Sequence, residues 1–125
     1  MPTLKINGRV VGEGMPCYIV AELSGNHGQD FDRAVQTIHA AKEAGADAVK
    51  LQTYTPDTMT LNGPQEWFRI SGGTLWDGRT LYDLYGEAYT PWEWQPKLKA
   101  LANSLGLDLF SSAFDPTSGD FLERM

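Results

Sequence analysis

Polar residues interrupt the apolar pattern of this chain at three places where a strand would end. Ala48-Val49-Lys50-Leu51-Gln52 reads as a short strand that follows a helix. Successive strand side chains point to opposite faces, so Val49 and Leu51 share an apolar face while Ala48, Lys50 and Gln52 share the other. Cys17 to Glu22, centred on Tyr18 to Ala21, reads as an earlier strand that ends on a charge and runs into Ser24-Gly25-Asn26-His27-Gly28. Leu107 to Ser111 is a third, passing into Ser112. Polar groups at the carboxyl ends of strands are the arrangement by which α/β proteins bind ligands.

Helical spacing fills the intervals. Phe31, Ala34, Val35, Ile38 and Ala41 recur on one face, with Asp30 as N-cap and Gly45 as the stop. Leu98, Leu101, Ala102 and Leu105 form a second stripe, ended by Gly106. Its predicted start is Thr90-Pro91-Trp92-Glu93, a capping box with proline at the first helical position. Pro96 would then remove a donor in the second turn and kink the helix. Asp115 to Met125 begins a further helix, capped by Asp115 or Thr117. Ahead of these elements, Leu4–Ile6 and Arg9–Val11 flank Asn7-Gly8, the signature of a type I′ hairpin. Residues 53–89 belong to no strand–helix unit. Their aromatic residues (Trp67, Phe68, Trp76, Tyr82, Tyr85, Tyr89) argue for structure of their own, with a short helix around Leu81, Leu84 and Tyr85.

Strand, helix and strand with short connections imply parallel pairing and right-handed crossovers. The predicted class is α/β: the opening strands and helices of a TIM-type (β/α)8 barrel, incomplete here because such barrels need about 250 residues. An open doubly wound sheet is the alternative, weakened by the absence of G-x-G-x-x-G in the first loop. Residues 1–16 are read as an amino-terminal hairpin extension and residues 17–125 as the partial barrel, cut in mid-helix.

Charge and composition narrow the partners. A net charge of −6 with no basic stripe argues against nucleic acid, yet leaves room for an anionic small ligand at a locally positive site. The single Cys17 cannot form an intrachain disulfide, in keeping with a cytoplasmic location. No apolar run approaches the roughly 20 residues of a membrane span, and Met1 to Val11 lacks the zones of a secretory signal.

Lys50 leads the candidate chemistry. A lysine on an inward strand face is costly unless an anion meets it. It could clamp a phosphate or carboxylate, act as a Schiff-base nucleophile, or pair structurally with Glu22. Glu22 suits a sugar hydroxyl or general-base work. Asn26 and His27 lie on the first strand-to-helix loop, where His27 is either a proton carrier or a hydrogen-bonding residue. His39 lies within a helix, and the two histidines make no metal motif by spacing. Ser111 and Ser112 either meet an anion at a helix start or cap the turn. The loop aromatics could stack on sugar faces, although Trp92 and Trp94 suit packing of a helix start.

Taken as strings, Ile19-Val20-Ala21-Glu22-Leu23-Ser24-Gly25-Asn26-His27, Ala44-Gly45-Ala46-Asp47-Ala48-Val49-Lys50-Leu51-Gln52-Thr53 and Phe110-Ser111-Ser112-Ala113-Phe114-Asp115 resemble the first three strand motifs of the sialic acid synthase family. Residues 73–78, 80–85 and 88–94 resemble its pseudaminic acid synthase branch more than its neuraminate or legionaminate branches. Ala113 departs from the proline usual at its position.

The resemblance implies condensation of phosphoenolpyruvate with a 2,4-diacetamido-2,4,6-trideoxy-altrose to give pseudaminate and phosphate. It implies that Lys50 and Ser112 meet phosphoenolpyruvate, that Glu22 is the catalytic carboxylate near the reacting centre, and that Gln52 contacts the sugar. Asn26 and Asp77 are further substrate-binding candidates. A divalent cation, Mn2+ or Mg2+, is expected from the resemblance, with its histidine ligands beyond residue 125. So is a homodimer for the full-length enzyme. The 125 residues alone are expected to be inactive. The competing readings are a neuraminate or legionaminate synthase fragment, a Schiff-base aldolase, and a non-catalytic carbohydrate-binding module.

Overall fold

The computed structural model describes residues 2–125. Strands β1 (Leu4–Ile6) and β2 (Arg9–Val11) pair antiparallel. Their turn residues Asn7 and Gly8 adopt φ of 46° and 84°, as a type I′ turn requires. Strand β3 (Val20–Glu22) is followed by α1 (Phe31–Glu43) and β4 (Ala48–Thr53). An excursion then carries α2 (Pro56–Met59) and α3 (Leu81–Ala88) before α4 (Gln95–Ser104), β5 (Asp108–Ala113) and α5 (Pro116–Arg124). The three later strands form one parallel sheet in the order β3-β4-β5. This is the repeated strand–helix unit of a (β/α) barrel, without closure.

The alternation read from the sequence is visible in burial. Val49 and Leu51 are buried beneath α1 and α4 in one cluster with Ile38, Leu98 and Ala102, whereas Lys50 and Gln52 on the other face are half-buried. Burying each such aliphatic side chain contributes about 1.5–3 kcal/mol, so this face fixes the strand register and thereby the direction of Lys50.

Polar side chains bind the hairpin to the amino ends of the sheet. Arg9 pairs with Asp47 just before β4, and its guanidinium also donates to the Cys17 carbonyl at 3.0 Å. Asp108, at the start of β5, accepts from Asn7 at 2.7 Å and from the Tyr18 hydroxyl. Burial, reinforced by the Asp108 carboxylate, pushes the Tyr18 phenol up to about 12. Strand β3 starts only at Val20, later than expected, because residues 17–19 serve this junction: the Ile19 amide donates to Asp47, and its carbonyl accepts from the Asp47 and Ala48 amides.

Three further expectations need correction. Thr90 does not cap α4. Its hydroxyl faces His27 instead, and a short 3-10 turn at Trp92–Trp94 leads into the helix. Pro96 therefore falls in the first turn of α4, where no backbone donor is missed, so it has no need to kink the helix. The first turn of α5 does not offer free amides to an anion, because the Asp115 carboxylate accepts from the amides of Thr117 and Ser118.

Candidate active site

Parallel register brings the predicted polar residues onto one face at the carboxyl end of the sheet. Glu22 lies opposite Lys50, and Gln52 lies opposite Ser112. Lys50 Nζ stands 3.1 Å from Glu22 Oε2, and Ser24 Oγ donates to Glu22 Oε1 at 3.1 Å. The pair is open to a ligand, with side chains 31% and 41% exposed. An ammonium has three donors, so Glu22 leaves Lys50 the capacity to hold an anion as well. Phe110, in register with Lys50, adds an apolar wall that the sequence reading did not single out, although alternation along β5 predicts its direction.

Behind this face a chain of hydroxyls sets the tops of β4 and β5. Thr53 donates to Gln95 Oε1 at 2.7 Å and meets the Ser111 hydroxyl at 2.6 Å. Thr53 and Gln95 are fully buried. Ser111 thus serves the scaffold, while Ser112, one residue on, faces the mouth. The polar Thr53 in the apolar series Val49, Leu51, Thr53 was the signal for this contact.

The first loop is held from beneath by His27, a fully buried residue. Its Nδ1 accepts from the Gln29 amide at 2.9 Å, so Nε2 carries the proton and donates to Thr90 Oγ1 at 2.8 Å. Thr90 in turn reaches the Ser24 carbonyl at 3.5 Å. Burial holds the His27 ring below its ordinary value and favours the neutral form that these contacts use. Gly25 lies against the Ala88 carbonyl, where an added Cβ would come within 2.4 Å of the oxygen. The loop is therefore tied to the end of α3 and presents Asn26 toward a cavity of about 340 Å³ that Gln52, Tyr54, Trp76 and Tyr85 also line.

Asp77 does not stand with these residues. Its carboxylate accepts from the Gly73 amide at 2.9 Å and from the Thr74 amide and hydroxyl at 3.0 and 2.9 Å, closing the turn that carries Trp76. A larger hollow of about 630 Å³ runs from the hairpin end along the same sheet face, lined by Ile6, Tyr18, Val20 and Phe110 among others, and reaches the level of Lys50 at its register partner Phe110.

The described residues offer no ligand set for the metal that the resemblance implies. Among the described residues no group of three or more His, Cys, Asp or Glu side chains could hold an ion. Both ring nitrogens of His27 are engaged, and His39 is exposed on α1. No described helix is long and apolar enough to cross a membrane.

Comparison with known proteins places this site in context. The chain is 53% identical over 110 residues to a pseudaminic acid synthase of Helicobacter pylori, covering 88% of this chain and 32% of that protein. It is 40% identical over 119 residues to an N,N'-diacetyllegionaminic acid synthase of Legionella pneumophila, covering 94% of this chain and 33% of that protein. It thus spans about a third of the length of these relatives. Its fold matches the crystal structure of an N-acetylneuraminic acid synthetase from Leptospira borgpetersenii, with a TM-score of 0.78 and 22% identity over 98% of this chain and 38% of that one. The family model described as NeuB matches residues 37–125, and the chain belongs to the NeuB family.

Proposed function

We propose that this chain supplies the phosphoenolpyruvate-facing wall of a synthase that condenses phosphoenolpyruvate with 2,4-diacetamido-2,4,6-trideoxy-altrose. The observation that carries the reading is the open Lys50–Glu22 pair on one face with Gln52 and Ser112. In this reading Lys50 and Ser112 hold phosphoenolpyruvate, and Glu22 faces the reacting sugar carbon. The enol carbon bonds to the aldehyde carbon, water adds at the former enol-ether carbon, and the carbon–oxygen bond to phosphate breaks. Asn26 and Gln52 contact the sugar, and Asp77 acts indirectly by shaping its loop. The Mn2+ or Mg2+ expected from the resemblance takes its ligands from outside these residues. The complete enzyme is a cytoplasmic homodimer. The 53% identity to a pseudaminic acid synthase, against 40% to a legionaminic acid synthase, favours a pseudaminate product. A Schiff-base role suits Lys50 poorly, since its side chain is 31% exposed beside a carboxylate rather than enclosed by apolar walls.

The test joins these residues to the remaining two-thirds of the Helicobacter pylori relative and measures phosphate release. Release with the diacetamido-altrose, lost by at least about 100-fold in Lys50→Met, supports the reading. Turnover of N-acetylmannosamine alone, or borohydride trapping of substrate on Lys50, overturns it.

A further inference from the structure

We infer that the aromatic cavity beside Gln52 is the specificity pocket for the apolar substituents of the acceptor sugar, with Trp76 and Tyr85 as its determinants. The inference rests on the function proposed above and extends it to residues that are remote in sequence from the strand motifs. The cavity, about 340 Å³, is lined by Tyr54, Trp76, Leu84 and Tyr85 together with Asn26 and Gln52. Tyr54 is 4% exposed and fixed by edge-on contacts, 5.6 Å to the Tyr85 ring and 5.5 Å to Phe114. Trp76 is different: the residue is 47% exposed, on a turn that the Asp77 carboxylate closes. A half-open aromatic wall is contact surface in wait of a ligand.

Among the described residues, this cavity offers no free cation to an anionic substrate. Its one charged lining residue is Glu87, whose carboxylate is engaged by Arg79 at 2.6 and 2.9 Å. The cavity offers rings and amides, which suit a neutral ligand. Asn26 gives its Nδ2 to the Leu23 carbonyl at 3.2 Å, leaving Oδ1 to accept an acetamido N–H. Position supplies the rest. Gln52 lies two residues beyond Lys50 on the same face, about 7 Å along the strand. A sugar whose aldehyde carbon meets phosphoenolpyruvate at Lys50 therefore extends its far end, with its acetamido methyl and deoxygenated sixth carbon, onto Trp76 and Tyr85. A hydroxyl on that carbon would give up water against the ring faces, a cost that a methyl does not carry.

The test uses the joined synthase described above. Trp76→Ala, on an exposed turn, is expected to raise KM for the diacetamido-trideoxy-altrose about 10-fold while leaving KM for phosphoenolpyruvate within about 2-fold. The unsubstituted protein should prefer this sugar to its 6-hydroxy analogue, and Trp76→Ala should erase most of that preference. As a readout independent of turnover, the Trp76 indole N–H resonance should shift on titration with the sugar and stay in place with phosphoenolpyruvate. Unchanged sugar KM in both Trp76→Ala and Tyr85→Ala, or equal effects on the two substrates, overturns the inference alone. Absence of phosphate release from the unsubstituted protein with this sugar overturns the proposed function and this inference with it.

Discussion

The buried link between His27 and Thr90 allows a worked prediction. Thr90→Val keeps the shape of the side chain and removes its oxygen. The His27 Nε2 proton, which now donates over 2.8 Å at a fully buried site, then has no acceptor. An unsatisfied buried donor costs about 1–3 kcal/mol. The second contact, from Thr90 to the Ser24 carbonyl at 3.5 Å, is long and adds little. The expected loss is about 2 kcal/mol, and for a chain of this size each kcal/mol lowers Tm by about 4 °C, so Tm should fall by about 8 °C. Urea unfolding at pH 7.5 measures it, with Trp94, edge-on to His27 at 5.4 Å, as the fluorescent reporter. A His27→Leu background supplies the control, because with the imidazole gone Thr90→Val should cost little. A loss below about 0.5 kcal/mol in the native background, or the same loss in both backgrounds, would refute the argument.

The same histidine predicts a pH dependence. Burial depresses its folded-state pKa from 6.5, so the unfolded chain binds the extra proton, and stability is complete above about pH 6.5 and lost as pH falls below it. The slope from one proton is at most about 1.4 kcal/mol per pH unit, and His27→Leu should flatten urea midpoints measured across that range. Gly25→Ala should cost about 1–3 kcal/mol, because the new methyl meets the Ala88 carbonyl oxygen at 2.4 Å and backbone cannot swing aside. Faster amide exchange at residues 86–90 would register the displacement, and wild-type stability would contradict the close approach. Tyr18, held up at about 12, should remain protonated where ordinary phenols ionise. Its contribution is complete below pH 10 and disappears as pH rises through about 12, and Asp108→Asn should bring the phenolate signal to lower pH in an ultraviolet titration.

What could be read in advance divides along a physical line. Strand parity is a local property, so Val49 and Leu51 could be assigned to the core and Lys50 and Gln52 to the mouth from their order alone. The Asn7-Gly8 turn and the Asp30 and Asp115 caps are equally local, and each stands where its chemistry predicts. Thr90 misled because a capping box is a local rule, and a partner 63 residues away competed for the same hydroxyl. A buried imidazole proton without an acceptor costs more than a helix end left to a 3-10 turn, so the distant claim prevailed. The aromatic residues of the excursion could be recognised as structured, but their union with Gln52 and Asn26 depends on α3 packing back against the first loop, which no short-range pattern encodes.

Satisfaction of each charge separates scaffold from chemistry better than burial does. Arg9 and Asp47 are 36% and 21% exposed, not far from the 31% and 41% of Lys50 and Glu22. Exposure therefore does not distinguish the two pairs. Their other partners do. Asp47 also accepts from the Ile19 amide, Arg9 also donates to the Cys17 carbonyl, and Asp108 is shared between Asn7 and Tyr18. Asp77 and Asp115 likewise spend their oxygens on the backbone of their own turns. Each of these groups is held by several contacts and could not turn to a ligand without breaking structure. Among the described residues Lys50 has a single ionic partner, and its remaining donors open onto the mouth of the sheet. A cation so sparsely committed, at the carboxyl end of parallel strands, is where an anion can enter at least structural cost, and the pleat of β4 sets Gln52 on the same face, at the edge of the cavity that Trp76 lines.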